Sequence, residues 1–335
     1  GDLRFGHEMV ELDPGVDLGS AVAPDQNGVV AAKIRGPNGT VESVTANWVV
    51  GCDGWRSAVR DRIGATLEGR TDLGHFVNVY FLADLKQWTA GREAVLYFTT
   101  APRGVFQPLD GKQRWLCQIN YDGTEESLAE YNDARCIEWV RAATGGDELD
   151  VEIVSIGTWT MNSTVVDRYR RGQVFLAGDS LHQLPPTGGF GANTGIQDAH
   201  NLAWKLAGVF HEWAAPGLLD SYESERRPVA IVNSSRSLDN SRMVGRITKA
   251  LLRGENADAA VAASFRYGNF SGLDLGFHYE SDAVIADGTP VPEVEDPVSM
   301  LVPGARPGHR IAHCWFSRAL RGEGERVSAL DLCSG

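Results

Sequence analysis

Val174-Phe175-Leu176-Ala177 is an unbroken apolar run that ends on Gly178-Asp179, and a glycine-rich stretch after it leads into a helix-periodic segment. No other feature constrains the fold of this chain so tightly. Four apolar residues without alternation are the mark of a strand covered on both faces, as in the middle of an α/β sheet. Ile196, Ala199, Ala203, Leu206 and Phe210 recur at helical spacing, so Asn193 to Phe210 reads as a helix. The stretch between strand and helix is then a strand-to-helix loop with the logic of a cofactor cradle. Gly178 lets a ligand approach the strand end, the Asp179 carboxylate can accept hydrogen bonds from polyol hydroxyls, and Pro185 and Pro186 stiffen the loop. Gly188, Gly189 and Gly191, followed by Ala192 and Asn193, expose backbone N–H groups at a helix start, which favours negative charge.

A second strand-turn-helix lies upstream. Glu8 to Leu12, Val29 to Ile34 and Val41 to Val50 alternate as a β-meander, with Pro37-Asn38-Gly39 as one of its turns. Val49-Val50-Gly51-Cys52-Asp53-Gly54 ends it as an apolar strand running into a glycine turn, and Ser57 to Ile63 is long enough for one or two helical turns. Asp53 and Gly54 are candidate cofactor contacts, although Asp-Gly is also a common turn. Arg56 and Arg60 fit cofactor contact and surface charge equally well. His182 is expected to be a structural imidazole bonded to backbone, not a proton-transfer group.

Between these motifs, His75 to Ala83, Ala94 to Phe106 and Arg114 to Tyr121 carry aromatic and β-branched residues at short spacing, which predicts one antiparallel sheet. Gln107 and Tyr97 within it are read as packing or solvated positions. Glu125 to Thr144 reads as an amphipathic helix with Leu128, Tyr131, Ile137 and Val140 on its apolar face, and Val151 to Met161 as a strand. Ser221 to Leu238 is helical, with Pro228 kinking it or marking a start. From Gly254 the composition turns irregular, Asp287 to Pro292 and Val302 to Gly308 are linker-like, and a new unit is expected near Pro303 that reaches the strand-like Ser328 to Cys333.

At 335 residues the chain has room for two domains or one with an appendage. Its net charge of −13 works against binding to nucleic acid, which relies on clustered Lys and Arg. No apolar run approaches the roughly 18 residues that cross a bilayer, and Gly1 to Phe5 lacks a secretory apolar region, so a cytoplasmic protein without membrane contact is expected. The 5 cysteines show no C-x-x-C spacing, which predicts free thiols and no metal site.

The run from Gly178 to Asn193 resembles the second flavin motif of FAD-dependent aromatic-ring monooxygenases, the phenol and polyketide hydroxylase class: Gly-Asp, Pro-Pro, Gly-Gly-x-Gly and Asn appear in order. Gly51 to Arg60 resembles the Asp-Gly motif that this class associates with FAD and the nicotinamide cofactor, and Tyr222-Glu223-Ser224-Glu225-Arg226-Arg227-Pro228 fits its following helix. The resemblance implies a mixed α/β fold in which an FAD/NAD(P)-binding Rossmann-like domain is interleaved with an antiparallel substrate-domain sheet. It assigns residues 1–70 and 166–302 to the FAD-binding domain, 71–165 to the substrate-binding sheet, and 303–335 to the start of a thioredoxin-like domain. It implies FAD as cofactor, NADPH or NADH as electron donor, and O2 plus a small aromatic substrate hydroxylated through a flavin C4a-hydroperoxide. It assigns no catalytic base and leaves the oligomeric state open, a homo-oligomer included.

The class opens with a G-x-G-x-x-G strand-turn-helix that holds the ADP half of FAD. None precedes Asp53, so the expectation is an enzyme without its amino-terminal segment and most of its third domain. Two alternatives stay open: another flavin oxidoreductase of the same fold, such as a halogenase or epoxidase, and a catalytically silent fragment. No W-x-W-x-I-P segment of the halogenase kind occurs.

Overall fold

A computed structural model describes residues 1–14, 29–122, 126–264, 268–317 and 326–333. In chain order the elements begin with β1 (Glu8–Asp13), β2 (Val30–Arg35), β3 (Val41–Ala46), β4 (Val49–Gly51) and α1 (Ala58–Arg62). There follow β5 (Leu67–Leu82), α2 (Lys86–Thr89), β6 (Tyr97–Thr100), β7 (Arg103–Pro108), β8 (Arg114–Tyr121), α3 (Asp133–Thr144) and β9 (Glu152–Val166). Then come β10 (Arg170–Arg171), β11 (Val174–Leu176), β12 (His182–Gln183), α4 (Phe190–Phe210) and α5 (Ser221–Leu252). The chain ends with α6 (Asp258–Ala263), α7 (Ser271–Leu275), β13 (Trp315–Ser317) and β14 (Arg326–Ser328). The result is the expected mixed fold of helix and sheet. Among the described residues no helix is long and apolar enough to cross a membrane.

The chain divides into two compact units. The first comprises Gly1–Gly69, Thr164–Asn240 and Ala263–Gly335, and the second Arg70–Ser163 with Ser241–Ala262. In the first unit β1, β2 and β3 form the expected antiparallel meander. β4 does not end that meander, as its sequence suggested. It pairs in parallel with β11, Val49 opposite Val174 and Gly51 opposite Leu176. Strand β3 ends at Ala46, Trp48 packs against the core, and the Val49 N–H donates to Gln173 O at 3.1 Å. Val174, Phe175 and Leu176 are fully buried, as their uninterrupted apolar run required, and they pack with Ile63, Tyr169, Leu202 and Tyr222.

In the second unit β5, β8, β7 and β6 pair antiparallel in that order, as expected, with Ala94 to Phe106 divided at Ala101-Pro102 into the hairpin β6–β7. One face of this sheet, with Val77, Val79, Phe81, Trp115, Cys117 and Ile119, is buried against Cys136 and Val140 of α3. Tyr97 belongs to that side and meets Trp115 at 6.0 Å between ring centroids. The alternate positions, among them Phe76, Asn78, Tyr80 and Gln118, lie on the opposite face and are half-buried. There Phe76 stacks on Trp159, centroids 4.3 Å apart, and the Trp159 indole N–H donates to Asn78 Oδ1 at 2.8 Å.

Three helices differ from expectation. α3 starts at Asp133, because the Asn132 side chain accepts from the Arg135 N–H as its N-cap; Leu128 sits in a separate short turn and is exposed, and Glu125 lies outside the described residues. α5 runs through Pro228 to Leu252, anchored in its first turns by the Tyr222 hydroxyl, which donates to Leu176 O at 2.9 Å. α4 begins at Phe190, and its buried side mixes the apolar Phe190 and Leu202 with polar and charged residues. Ile196 is 68% and Phe210 60% exposed, whereas Thr194, Asp198, Asn201 and Lys205 are buried.

Candidate cofactor site

The parallel pairing of β4 and β11 brings the two turns read from the sequence to the same end of the sheet. The Ala177 N–H donates to Gly51 O at 2.9 Å, and the Ser180 hydroxyl donates to the same carbonyl at 2.8 Å. The Arg60 guanidinium then ties the turns together, donating to Ser180 O at 3.4 Å and to Trp55 O at 3.1 Å. Arg60 is buried and serves the scaffold; Arg56 instead lies over the Trp55 ring at 4.2 Å. The crevice outside the carboxyl ends of parallel strands is where open α/β sheets take their ligands.

Asp53 accepts from the Ser57 hydroxyl at 2.5 Å and from the Val59 N–H at 3.0 Å, so it also holds the start of α1, beside Gly54 with φ +79°. Asp179 follows Gly178 in a short turn and is exposed. Pro185 is buried and Pro186 exposed. Gly188 and Gly189 both have positive φ, +114° and +70°, and a Cβ on Gly188 would stand 2.6 Å from the Phe190 ring. Gly189 caps α4 without a side-chain bond of its own, so Phe190, Gly191 and Ala192 open the helix without a capping side chain; the Asn193 side-chain amide donates back to Gly189 O at 2.8 Å. A solvent-facing carboxylate beside an uncapped helix start, with glycines at the approach, fits a cofactor that carries both hydroxyls and an electron-rich edge.

Behind this loop lies a set of buried charges that the sequence reading passed over. The Asp198 carboxylate accepts from Arg226 Nε at 2.9 Å and from the Gly178 N–H at 3.4 Å, and meets His182 Nε2 at 2.7 Å. The partner of His182 is thus a carboxylate and not the backbone that the sequence suggested. A buried imidazole next to an anion gains more from that contact than from a neutral carbonyl. Seven residues along α4, Lys205 pairs with Glu225 at 2.6 Å, and Glu225 also accepts from Asn201 and Ser281. The available signal was the spacing of Thr194, Asp198, Asn201 and Lys205, a polar stripe at helical period. A cavity of about 660 Å³ in the first unit, lined by Val229, Asn233, Phe277 and His309 among others, includes none of the predicted cofactor residues.

Two glycine turns at the ends of adjacent parallel strands, with an uncapped helix start beside them, give this layered α/β arrangement a place where a cofactor would fit. The chain belongs to the FAD binding domain family, whose model matches residues 10–237. It is 36% identical over 93% of its length to a tetracenomycin A2 monooxygenase-dioxygenase of Streptomyces glaucescens, of which it covers 54%. It is 34% identical over 99% of its length to an aklavinone 12-hydroxylase of Streptomyces purpurascens, of which it covers 58%. Among solved structures, the flavin-dependent monooxygenase PieE in complex with FAD and substrate matches 98% of this chain and 60% of its own at 30% identity and a TM-score of 0.82. An aklavinone-11 hydroxylase with FAD and aklavinone matches 98% of this chain and 57% of its own at 32% identity and a TM-score of 0.77. The chain therefore has the fold of the FAD-binding aromatic hydroxylases and spans little more than half the length of these relatives.

Proposed function

We propose that this chain holds FAD and an aromatic substrate as part of a monooxygenase that hydroxylates a phenolic or polyketide-type ring, using O2 and NADH or NADPH. The observation that carries the reading is the meeting of Asp179 and the uncapped start of α4 at the carboxyl ends of β4 and β11. Asp53, Gly54, Gly178 and Asp179 face the polyol part of the cofactor, whose hydroxyls the carboxylates can accept from, with Pro185 and Pro186 keeping the loop in shape. The amides from Gly188 and Gly189 to Gly191, Ala192 and Asn193 stabilise negative charge on the ring edge. When bound, the isoalloxazine ring supplies electron transfer and oxygen activation.

The second unit takes the aromatic substrate on the sheet face that carries Phe76, Asn78 and Trp159, where a ring finds stacking partners and an amide. Residues 1–70 and 166–302, apart from Ser241–Ala262 of the second unit, then serve the cofactor, 71–165 the substrate, and 303–335 open a thioredoxin-like domain. The names of the relatives, monooxygenases and hydroxylases with FAD and substrate in the solved complexes, support the cofactor and the aromatic substrate class, and a cytoplasmic location suits the nicotinamide donor.

Titration of the purified chain with FAD, followed by flavin fluorescence, tests the reading. Wild type is expected to quench the flavin and Asp179→Ala to weaken binding at least about tenfold, the scale of one lost charge-assisted hydrogen bond. NAD(P)H consumption should then rise on adding simple phenols. A wild-type chain that leaves flavin fluorescence unchanged would sink the proposal.

A further inference from the structure

We infer that Asp198 is a positioning residue for the cofactor cradle, fixing the spacing between the Gly178-Asp179 turn and the first turns of α4 through the Gly178 amide and Arg226. The inference rests on the flavin reading above and extends it to residues that touch no cofactor.

Asp198, Arg226 and His182 are all fully buried. The Asp198 side chain reaches out of α4 to the Gly178 N–H, at the start of the cradle. Arg226, which it holds by Nε, donates through its second nitrogen to Thr194 O at 3.3 Å, next to Asn193 at the cradle's other end. Its remaining nitrogen donates to the Tyr279 hydroxyl at 3.1 Å, and Asn233 donates to the Thr194 hydroxyl at 3.0 Å. One carboxylate and one guanidinium thus grip both ends of the loop that runs from Gly178 to Asn193. A buried charge that moves loses partners it cannot replace with water, so the geometry of the pair is over-determined. The backbone is also held sterically. α4 passes so close to the turn that a Cβ on Gly195 would stand 3.0 Å from Gly178 Cα. A cradle for a planar cofactor needs such fixed spacing, because its donors act only if they are already in place when the ligand arrives.

The molecule carries its own control. Lys205 and Glu225 form a second buried ion pair between the same two helices, but their further bonds run to Ser221, Asn201 and Ser281, and none reaches a cradle residue. If buried charge between α4 and α5 merely stabilises the fold, breaking either pair should have the same consequence. If Asp198 positions the cradle, the two differ.

The experiment compares wild type, Asp198→Asn and Lys205→Met as full chains, measuring FAD affinity by fluorescence quenching at a temperature below every thermal midpoint, together with the absorption spectrum of the bound flavin. Both variants should lower the midpoint. Asp198→Asn is expected to raise the FAD Kd about tenfold or more, the worth of a hydrogen bond to a charged group, and to alter the bound-flavin spectrum even at saturation. Lys205→Met should keep the wild-type spectrum and a Kd within roughly twofold of wild type, as independent sites do. If Asp198→Asn does not fold, Arg226→Lys replaces it under the same criteria, since it keeps the charge and loses the fork. Equal losses in both variants, or an Asp198→Asn chain with wild-type affinity and spectrum, overturn the inference while leaving the flavin reading intact. A wild-type chain that binds no FAD removes both.

Discussion

Gly195 is small because α4 crosses the backbone of the Gly178 turn there. In an exposed helix, Gly→Ala gains about 1 kcal/mol from propensity alone. Here the added methyl meets backbone that the Asp198 bond already holds, so Gly195→Ala is expected to cost about 1–3 kcal/mol, the usual penalty of overpacking. Urea unfolding of the variant measures this, and a higher midpoint than wild type would show that the contact is slack. The strand, turn and helix around Asp179 were legible from the sequence because that setting is local: an apolar run, a turn, a glycine-rich loop. Asp198 and Gly195 were not, because the value of each comes from a partner in another element that no local pattern names.

At the scale of elements, α4 and α5 are joined by buried ion pairs as well as by the apolar core that Leu202, Tyr222 and Ala230 share. Glu225 shows what this does to the response to acid. Its burial alone would raise the carboxyl pKa, but hydrogen bonds from Asn201, Lys205 and Ser281, with the charge of Lys205, hold it below its ordinary value of 4.5. A depressed folded-state value gives stability that is fully present above pH 4.5 and is lost as pH falls through the lower folded value. The stability margin of wild type over Glu225→Gln should therefore shrink as pH drops below about 4.5, which thermal midpoints measured across pH 3 to 7 would reveal. A margin that stays constant through that range would show that Glu225 is not held in its ionised form. The helical period of α4 was readable from Ile196 to Phe210, yet its buried face was not. Apolar spacing marks a helix correctly even where paired charges share the inner side with only some of its apolar residues, Leu202 and Phe190 among them. The boundaries of α3 and the departure of β4 from the meander were decided likewise by a cap and by a distant strand.

For the whole molecule, a ligand that binds only the folded chain must stabilise it. FAD at a hundred times its Kd should raise the unfolding free energy by about 2.7 kcal/mol. Calorimetry should show this as an upward shift of the transition belonging to the first unit; no shift under saturating FAD would contradict binding to the folded state. The pairing of β4 with β11 has a further consequence, one of timing. Val49 must find Val174 across more than a hundred intervening residues, whereas β6, β7 and β8 pair with near neighbours. Local hairpins close fast and long loops slowly, so the β6–β7–β8 hairpins form early and the strand pair that unites the two glycine turns forms late. During synthesis, the Asp53 half waits on the order of ten seconds for the Gly178 half to emerge. Slow-folding substitutions in those hairpins would then lower the yield of a complete cradle without altering any residue in it.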